Sequence, residues 1–114
     1  MLKVQPARIL RIHISELDRY QGRPLFEGII AKCRELKIAG ATVFQGLEGY
    51  GESTELHRAH LVRNDQPIVI AIVDTAENLD RLVPAVEEML DTGVLATSDV
   101  EMIRVQKSPR PRLL

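Results

Sequence analysis

The residues with the clearest capacity to bind a ligand lie in the polar stretch 48–53. Gly49 and Gly51 would let the backbone approach a bound molecule closely, and the ring of Tyr50 between them can lie against a planar base. Backbone N–H groups in such a loop, beside the polar Glu52, can meet a phosphate or carboxylate group. A Gly-x-Gly pair alone is weak evidence, because a glycine-kinked bend at a strand end has the same composition.

Two histidines and two arginines follow this stretch. His57 and His60 would share one face of a helix but would point to opposite faces of a strand, and two histidines without a third ligand make a poor metal site. We therefore treat them as polar surface residues, with a metal site shared between subunits as the alternative. Arg58 and Arg63 are candidates for contact with an anionic group or a partner, or for solvated surface.

The composition excludes several functional classes. The chain has 114 residues and a net charge of −1, from 15 basic and 16 acidic residues, so no overall field attracts nucleic acid or an anionic membrane. Its single cysteine, Cys33, excludes an intramolecular disulfide and is expected to be an inert core residue. The longest apolar run, residues 68–73, is too short for direct membrane insertion, and no signal peptide is evident. We expect a cytoplasmic protein.

No motif of catalysis is present. The chain has no nucleophile elbow, P-loop or His-Glu-x-x-His sequence, and its serines and cysteine lack a recognisable base. The sequence therefore predicts that the protein is not an enzyme and requires no cofactor.

Periodicity predicts the first part of the fold. Strict alternation in residues 8–15 predicts a strand, with Leu10, Ile12 and Ile14 on one face. A polar connection precedes Pro24, which suits a first helical turn, and apolar residues at spacings of three or four predict a helix after it. Residues 41–47 and 67–73 are predicted to be the second and third strands, on either side of the long polar loop.

The second half repeats the pattern. Asp74 or Thr75 is predicted to cap a second helix, with Glu77 three residues after Asp74 as in a capping box. Pro84 lies within the apolar stripe of this helix, where we expect a kink that packing tolerates. Gly93 is predicted to end the helix, and residues 99–105 to form the fourth strand.

The element order is therefore βαββαβ, an α+β fold of the ferredoxin-like kind: a four-stranded antiparallel sheet with two helices on one face. We expect residues 1–106 to form this domain and residues 107–114 to be a flexible basic tail. Residues 68–73 are apolar at every position, which indicates that the other sheet face is buried as well. Association with copies of itself is the simplest way to bury it.

Several motifs resemble a known family. GATV, EGYG and TELHRA, at residues 40–43, 48–51 and 54–59, resemble the nitrogen-regulatory PII signalling proteins. SELDRYQGRPLFEGI, AGATVFQGLEGYG and IVIAIVDT resemble more closely the PII-like family catalogued as domain of unknown function 190. The resemblance covers nearly the whole chain and implies a homotrimer, with small-molecule sites in the clefts between subunits.

The resemblance also implies particular contacts. It implies ligand contacts at Thr42, in the GATV motif, and at Arg104, which aligns with a phosphate-facing arginine of the last strand. AMP, ADP or ATP would be the ligand, and the loop after the second strand would contact a membrane transporter or channel, or a regulated enzyme. TGVLATSD stands where PII proteins have a TGKIGDGK-type loop, so triphosphate binding of the PII kind is in doubt. His57 replaces the tyrosine that some PII proteins have uridylylated.

Two other functional classes stay open. The first is a divalent-metal-binding trimer like the CutA proteins, with His57 and His60 as ligands. The second is an accessory or adaptor subunit without a small ligand, which a partner recognises through the loop or the basic tail.

Overall fold

The computed structural model describes residues 3–49 and 66–107. The strands and helices follow one another as β1 (Val4–Ser15), β2 (Arg19–Tyr20), β3 (Arg23–Pro24), α1 (Leu25–Glu35), β4 (Thr42–Gln45), β5 (Pro67–Asp74), α2 (Ala76–Met89) and β6 (Val94–Ile103). No helix among these described residues is both long and apolar enough to cross a membrane.

Four strands form one antiparallel sheet in the order β4-β5-β1-β6. The central strand β1 pairs with β5 from Arg8↔Asp74 to Ser15↔Pro67 and with β6 from Val4↔Ile103 to His13↔Val94. Each of the two βα units thus places its strands in this sheet, which is the ferredoxin-like arrangement. The predicted fold class is confirmed.

Both helices cover the same face of the sheet. Alternate residues of β1 and β5 point toward them, and the helical stripes predicted from sequence meet these residues in one cluster. Its buried members are Leu10, Ile12, Ile14, Leu25, Ile29, Cys33, Ile68, Ile70, Ile72, Leu79, Leu82, Val86 and Met89. Burial raises the pKa of the Cys33 thiol to about 11, so this core cysteine stays protonated and unreactive at neutral pH.

A small hairpin replaces part of the predicted polar connection between β1 and α1. Strands β2 and β3 pair with each other around Gln21 and Gly22, whose φ values of 53° and 80° suit a two-residue hairpin turn. The backbone of Asp18 donates to the Ser15 carbonyl at 3.0 Å, and its carboxylate accepts from the Ser15 N–H at 2.9 Å. These two hydrogen bonds form a tight turn directly after β1.

The bounds of β1 and β6 differ from the predicted ones. β1 begins at Val4 rather than residue 8, and β6 spans Val94–Ile103 rather than residues 99–105. The cause is the continuous β1–β6 ladder, whose backbone hydrogen bonds hold residues that have no apolar alternation. Gly93 does not end the helix, because α2 stops at Met89; it precedes β6 with a φ of 151°, where an added Cβ would meet the His13 carbonyl oxygen at 3.1 Å.

The N-terminus of α2 follows one of the two predicted alternatives. Thr75 is the cap, and its hydroxyl accepts a hydrogen bond from the Asn78 N–H at 3.1 Å. The capping box of Asp74 with Glu77 is therefore wrong, because Asp74 lies one residue before the cap and its carboxylate has other partners. The helix continues through Pro84.

Replacing Pro84 by alanine tests the cost of this proline. Pro84 is exposed and has no N–H to donate to the carbonyl one turn earlier, so Pro84→Ala should raise the free energy of unfolding by about 1–3 kcal/mol. Urea unfolding at a fixed protein concentration measures the change. Glu87→Ala, in the exposed part of the same helix, is the control and should shift it by less than about 0.5 kcal/mol. An equal or lower stability of Pro84→Ala would contradict the expectation.

Candidate ligand-binding face

The sheet face opposite the helices, called the open face below, has its side chains arranged in three rows. Directly paired residues of an antiparallel sheet point to the same side, so the strand register defines each row. The middle row is Thr42, Ala71, Arg11 and Ala96; the row on one side is Phe44, Val69, His13 and Val94; the row on the other is Val73, Ile9 and Ser98.

The open face is largely apolar and exposed. Phe44 and Val94 are 55% and 59% exposed, and Val73 is 40% exposed. On β5, Ile68, Ile70 and Ile72 point into the core while the residues between them point to the open face, which explains why the whole run is apolar. A contiguous apolar patch of this kind marks an interaction surface.

The middle row combines two small side chains with two polar ones. Ala71 and Ala96 are small, and they lie on either side of Arg11, whose side chain is exposed. Thr42 is the next residue in the row, on the edge strand β4, and is also exposed. A hydroxyl and a guanidinium therefore lie in one row of the open face.

A buried carboxylate fixes the position of β4 relative to α2. Asp74, at the end of β5, is 5% exposed and accepts hydrogen bonds from the Ala39 N–H at 2.9 Å and the Thr75 N–H at 2.7 Å. The Asn78 side-chain amide donates a third at 2.9 Å. Because Ala39 lies just before β4, this carboxylate ties the α1–β4 connection, and with it Thr42, to the start of the second helix.

The ionisation of Asp74 follows from these contacts. Burial alone raises the pKa of the Asp74 carboxyl. The N–H groups of Ala39 and Thr75, the Asn78 amide and the charge of Arg104 outweigh burial and hold the pKa below its ordinary value. Asp74 is therefore an anion at neutral pH, and its charge is felt by Arg104.

The two described ends of the chain around residues 50–65 are joined to each other. The Gly46 N–H donates to the Pro67 carbonyl at 2.8 Å, and the Glu16 N–H donates to the Gln66 carbonyl at 2.9 Å. The Gln45 amide donates to the Glu16 carboxylate at 2.8 Å. The base of the predicted loop is thus part of the sheet edge.

Of the predicted glycine-rich site, the structure describes only Gly49. It is exposed, and an added Cβ would lie 3.3 Å from the Pro67 ring. The remaining predicted loop residues lie outside the described residues, namely Tyr50, Gly51, Glu52, His57, Arg58, His60 and Arg63. Their predicted contacts stay predictions. Within residues 3–49 and 66–107, no group of three or more metal-ligating side chains comes together.

Thr42 and Arg104, the other two predicted contacts, lie far apart within one chain. Thr42 belongs to the row that ends at Ala96 of β6, whereas Arg104 comes eight residues after Ala96, just beyond the end of that strand. At about 3.3 Å per residue this is roughly 26 Å along the strand direction, and the two residues belong to opposite edges of the sheet.

The stretch TGVLATSD does not form a loop of the PII type. From Val94 onward it belongs to β6 and pairs with β1 through Ala96 and Asp99. β6 is an edge strand, so alternate N–H groups pair with β1 while the others point away from the sheet along an extended strand and do not converge on one phosphate as in a loop. Whether triphosphate binding is lost stays a prediction.

The chain matches the model of one protein family over most of its length. The model of the uncharacterised family DUF190, described as an uncharacterized ACR, matches residues 7–102. This chain belongs to the DUF190 family. The family predicted from the sequence motifs is confirmed.

The similarity to other proteins also extends over most of this DUF190 protein. It is 30% identical over 104 residues to a UPF0166 protein of Aquifex aeolicus, covering 90% of this chain and 98% of that one. The apo form of CPII from Thiomonas intermedia K12, a nitrogen regulatory PII-like protein, has a TM-score of 0.66 at 17% identity, covering 92% and 100% of the two chains. CPII bound to ADP and bicarbonate has a TM-score of 0.67 at 20% identity, covering 91% and 95%. The DUF190 chain therefore has the PII-like fold.

Sequence reasoning did not identify Arg11 or Asp74 as site residues in this DUF190 protein. The alternation in β1 placed Arg11 on the face away from the core, but its neighbours Ala71 and Ala96 are distant in sequence. The sequence predicts Asp74 only as a possible helix cap. The apolar residues that precede it on β5 are the sequence signal that its carboxylate is buried.

The Asp74 contacts predict a pH-dependent stability. Since its pKa is lower in the folded than in the unfolded chain, the unfolded chain takes up a proton first, and acidification favours unfolding. Asp74→Asn should therefore lower the free energy of unfolding by about 1–3 kcal/mol at neutral pH. The difference from wild type should shrink as the pH falls below about 4 and passes through the lower, folded-state pKa.

Urea unfolding from neutral to acidic pH measures this difference. Asp91→Asn, at an exposed carboxylate after α2, is the matched control. A constant difference between wild type and Asp74→Asn at every pH would contradict the assignment.

Proposed function

We propose that this protein is a PII-like regulatory protein rather than an enzyme. It forms a homotrimer through its open faces and binds an adenine nucleotide in the clefts between subunits. The segment after β4 contacts a partner, such as a membrane transporter or a regulated enzyme. The fold and family support the regulatory class, while the ligand and the assembly are argued from the geometry below.

The observation that carries the proposal is the separation of Thr42 and Arg104. These two predicted ligand contacts belong to opposite edges of one sheet, so we assign them to two different copies of the chain. A second copy, however, can bring its Arg104 to the Thr42 edge of the first. Each cleft would then combine a strand edge from one subunit with the cationic end of β6 from another.

The neighbouring structures support the choice of ligand. CPII has been seen bound to ADP and bicarbonate, and also to ADP, AMP and acetate. An exposed threonine on one side of the cleft and an arginine on the other suit a ribose or base and a phosphate, respectively. Since β6 replaces the lysine-containing loop of PII proteins, we expect AMP or ADP to bind more tightly than ATP.

The loop assignment rests on the sheet edge. Hydrogen bonds from Gly46 to Pro67 and from Gln45 to Glu16 hold the two ends of the loop at one edge of the sheet. Ligand binding in the neighbouring cleft would therefore change how a segment anchored in this way contacts a partner protein. Pull-down of partners with and without nucleotide, compared with a chain in which residues 50–65 are replaced by a short glycine-serine linker, tests this part.

Nucleotide binding can be tested by thermal unfolding with AMP, ADP and ATP. A ligand at 100 times its dissociation constant adds about 2.7 kcal/mol of stability, which shifts the melting temperature measurably. Thr42→Ala and Arg104→Gln should each weaken binding, whereas Arg34→Gln, at an exposed position on α1, should not. No shift with any of the three nucleotides would remove the ligand from the proposal.

Mixing the two site variants distinguishes a shared cleft from a site within one chain. After unfolding and refolding together, about a quarter of the clefts should pair the intact Thr42 of one variant with the intact Arg104 of the other. Nucleotide binding should return to that fraction. If the mixture binds no better than either variant alone, the two residues do not form one cleft.

Self-association has its own test at the open face. Phe44 is 55% exposed there, and a positive charge at this position would be buried against a copy on a face that already carries Arg11 and lacks a described carboxylate. Sedimentation equilibrium should give about three times the 12.8 kDa chain mass for wild type and the single-chain mass for Phe44→Lys. Leu47→Lys, at a 92% exposed residue beyond β4, should behave as wild type. A monomeric wild type would contradict the homotrimer.

A further inference from the structure

Arg11 is a cation in the middle of an otherwise apolar surface. It lies on the central strand of the open face, between Ala71 and Ala96. Within residues 3–49 and 66–107, no hydrogen bond or ion pair involves its guanidinium. Arg8, on the helix side of the same strand, instead contacts Asp80 at 3.2 Å and Asp99 at 3.4 Å.

The register leaves the open face without a compensating carboxylate among the described residues. On β6, Asp99 and Glu101 pair with Arg8 and Pro6, so both point to the helix side. Asp74, the last residue of β5, also pairs with Arg8 and points the same way. The other charged or titratable side chain in the three rows is His13, which can only add positive charge.

Packing identical chains against this face increases its excess of positive charge. If the open faces of three copies face a common threefold axis, each Arg11 approaches the Arg11 of the other copies, and the described part of that face brings no carboxylate. A guanidinium removed from water without a counter-charge is strongly unfavourable, and mutual repulsion adds to that cost. The alanines beside Arg11 leave room next to its guanidinium, because their side chains extend only to Cβ.

We propose that Arg11 side chains of neighbouring copies bind a small oxyanion within the interface of the homotrimer and that this anion promotes assembly. The inference rests on the self-association proposed above and specifies how that interface is regulated. The recognised chemistry is an oxyanion that a guanidinium can hold in bidentate fashion. It can come from a free inorganic anion or from the phosphate of a bound nucleotide.

The test is the self-association of the full chain, measured by sedimentation over a range of protein concentrations. Buffers of equal ionic strength and equal pH contain either chloride alone, inorganic phosphate, or AMP. For wild type, phosphate or AMP should lower the concentration of half-assembly by roughly tenfold or more relative to chloride. A response to AMP alone that Arg11→Gln weakens would identify the nucleotide phosphate as the source.

Two variants make the role of Arg11 specific. Arg11→Gln keeps a polar side chain of similar reach without the charge, so it should lose the response to inorganic phosphate, while AMP can still act through the Thr42–Arg104 cleft. In chloride alone it should assemble at lower concentrations than wild type, because the repulsion is gone. Arg34→Gln, on the helix layer, should respond as wild type does.

Three results would overturn the proposal. The first is a wild-type assembly that is equally strong in all three buffers. The second is an Arg11→Gln chain that is folded by circular dichroism but assembles less well than wild type in chloride, which would mean that Arg11 already has a carboxylate partner. The third is a response to inorganic phosphate that persists in Arg11→Gln. A wild type that stays monomeric in every buffer would instead overturn the proposed homotrimer itself, and this proposal with it.

Discussion

The structure depends on one constraint: two helices cover only one face of its four-stranded sheet. The central strands are built for burial on both faces, since β5 places isoleucines toward the helices and valines and an alanine toward the open face. Apolar surface of this extent is unfavourable in water, and the chain has no further described element to cover it. The open face is therefore the described surface most suited to an interaction.

The buried carboxylate of Asp74 connects this face to the helical layer. Its hydrogen bonds reach the backbone before β4, the cap residue of α2 and the side chain of Asn78. Asn78 in turn accepts a hydrogen bond from Arg81, which also donates to the Leu36 carbonyl. The end of α1, the start of α2 and the strand that carries Thr42 are thus positioned by one connected polar network.

The polar groups proposed to contact a ligand are spread across the sheet. Thr42 is on one sheet edge and Arg104 follows the strand on the other, while Arg11 lies on the central strand β1. Each group is exposed and accessible to a second copy. A ligand held between copies would couple its own binding to assembly, because the two events remove the same surface from water.

The sequence by itself determined the fold class, the core and the family. Alternation in β1, the helical stripes of α1 and α2 and the unbroken apolar run in β5 are local patterns, and each reports directly which side chains are buried. The motifs around Thr42 likewise identified the family. Strand bounds were less predictable, because the first residues of β1 and β6 are held by backbone pairing, which does not require apolar side chains.

Only the tertiary structure decided which distant residues meet. The placement of Arg11 between Ala71 and Ala96, and of Asp74 beneath the Ala39 N–H, follows from strand register and helix packing, which join positions more than thirty residues apart. The same pairing made residues 94–99 a strand rather than a phosphate-binding loop. Local periodicity shows which face a residue occupies, but its cross-strand neighbours depend on how the whole chain comes together.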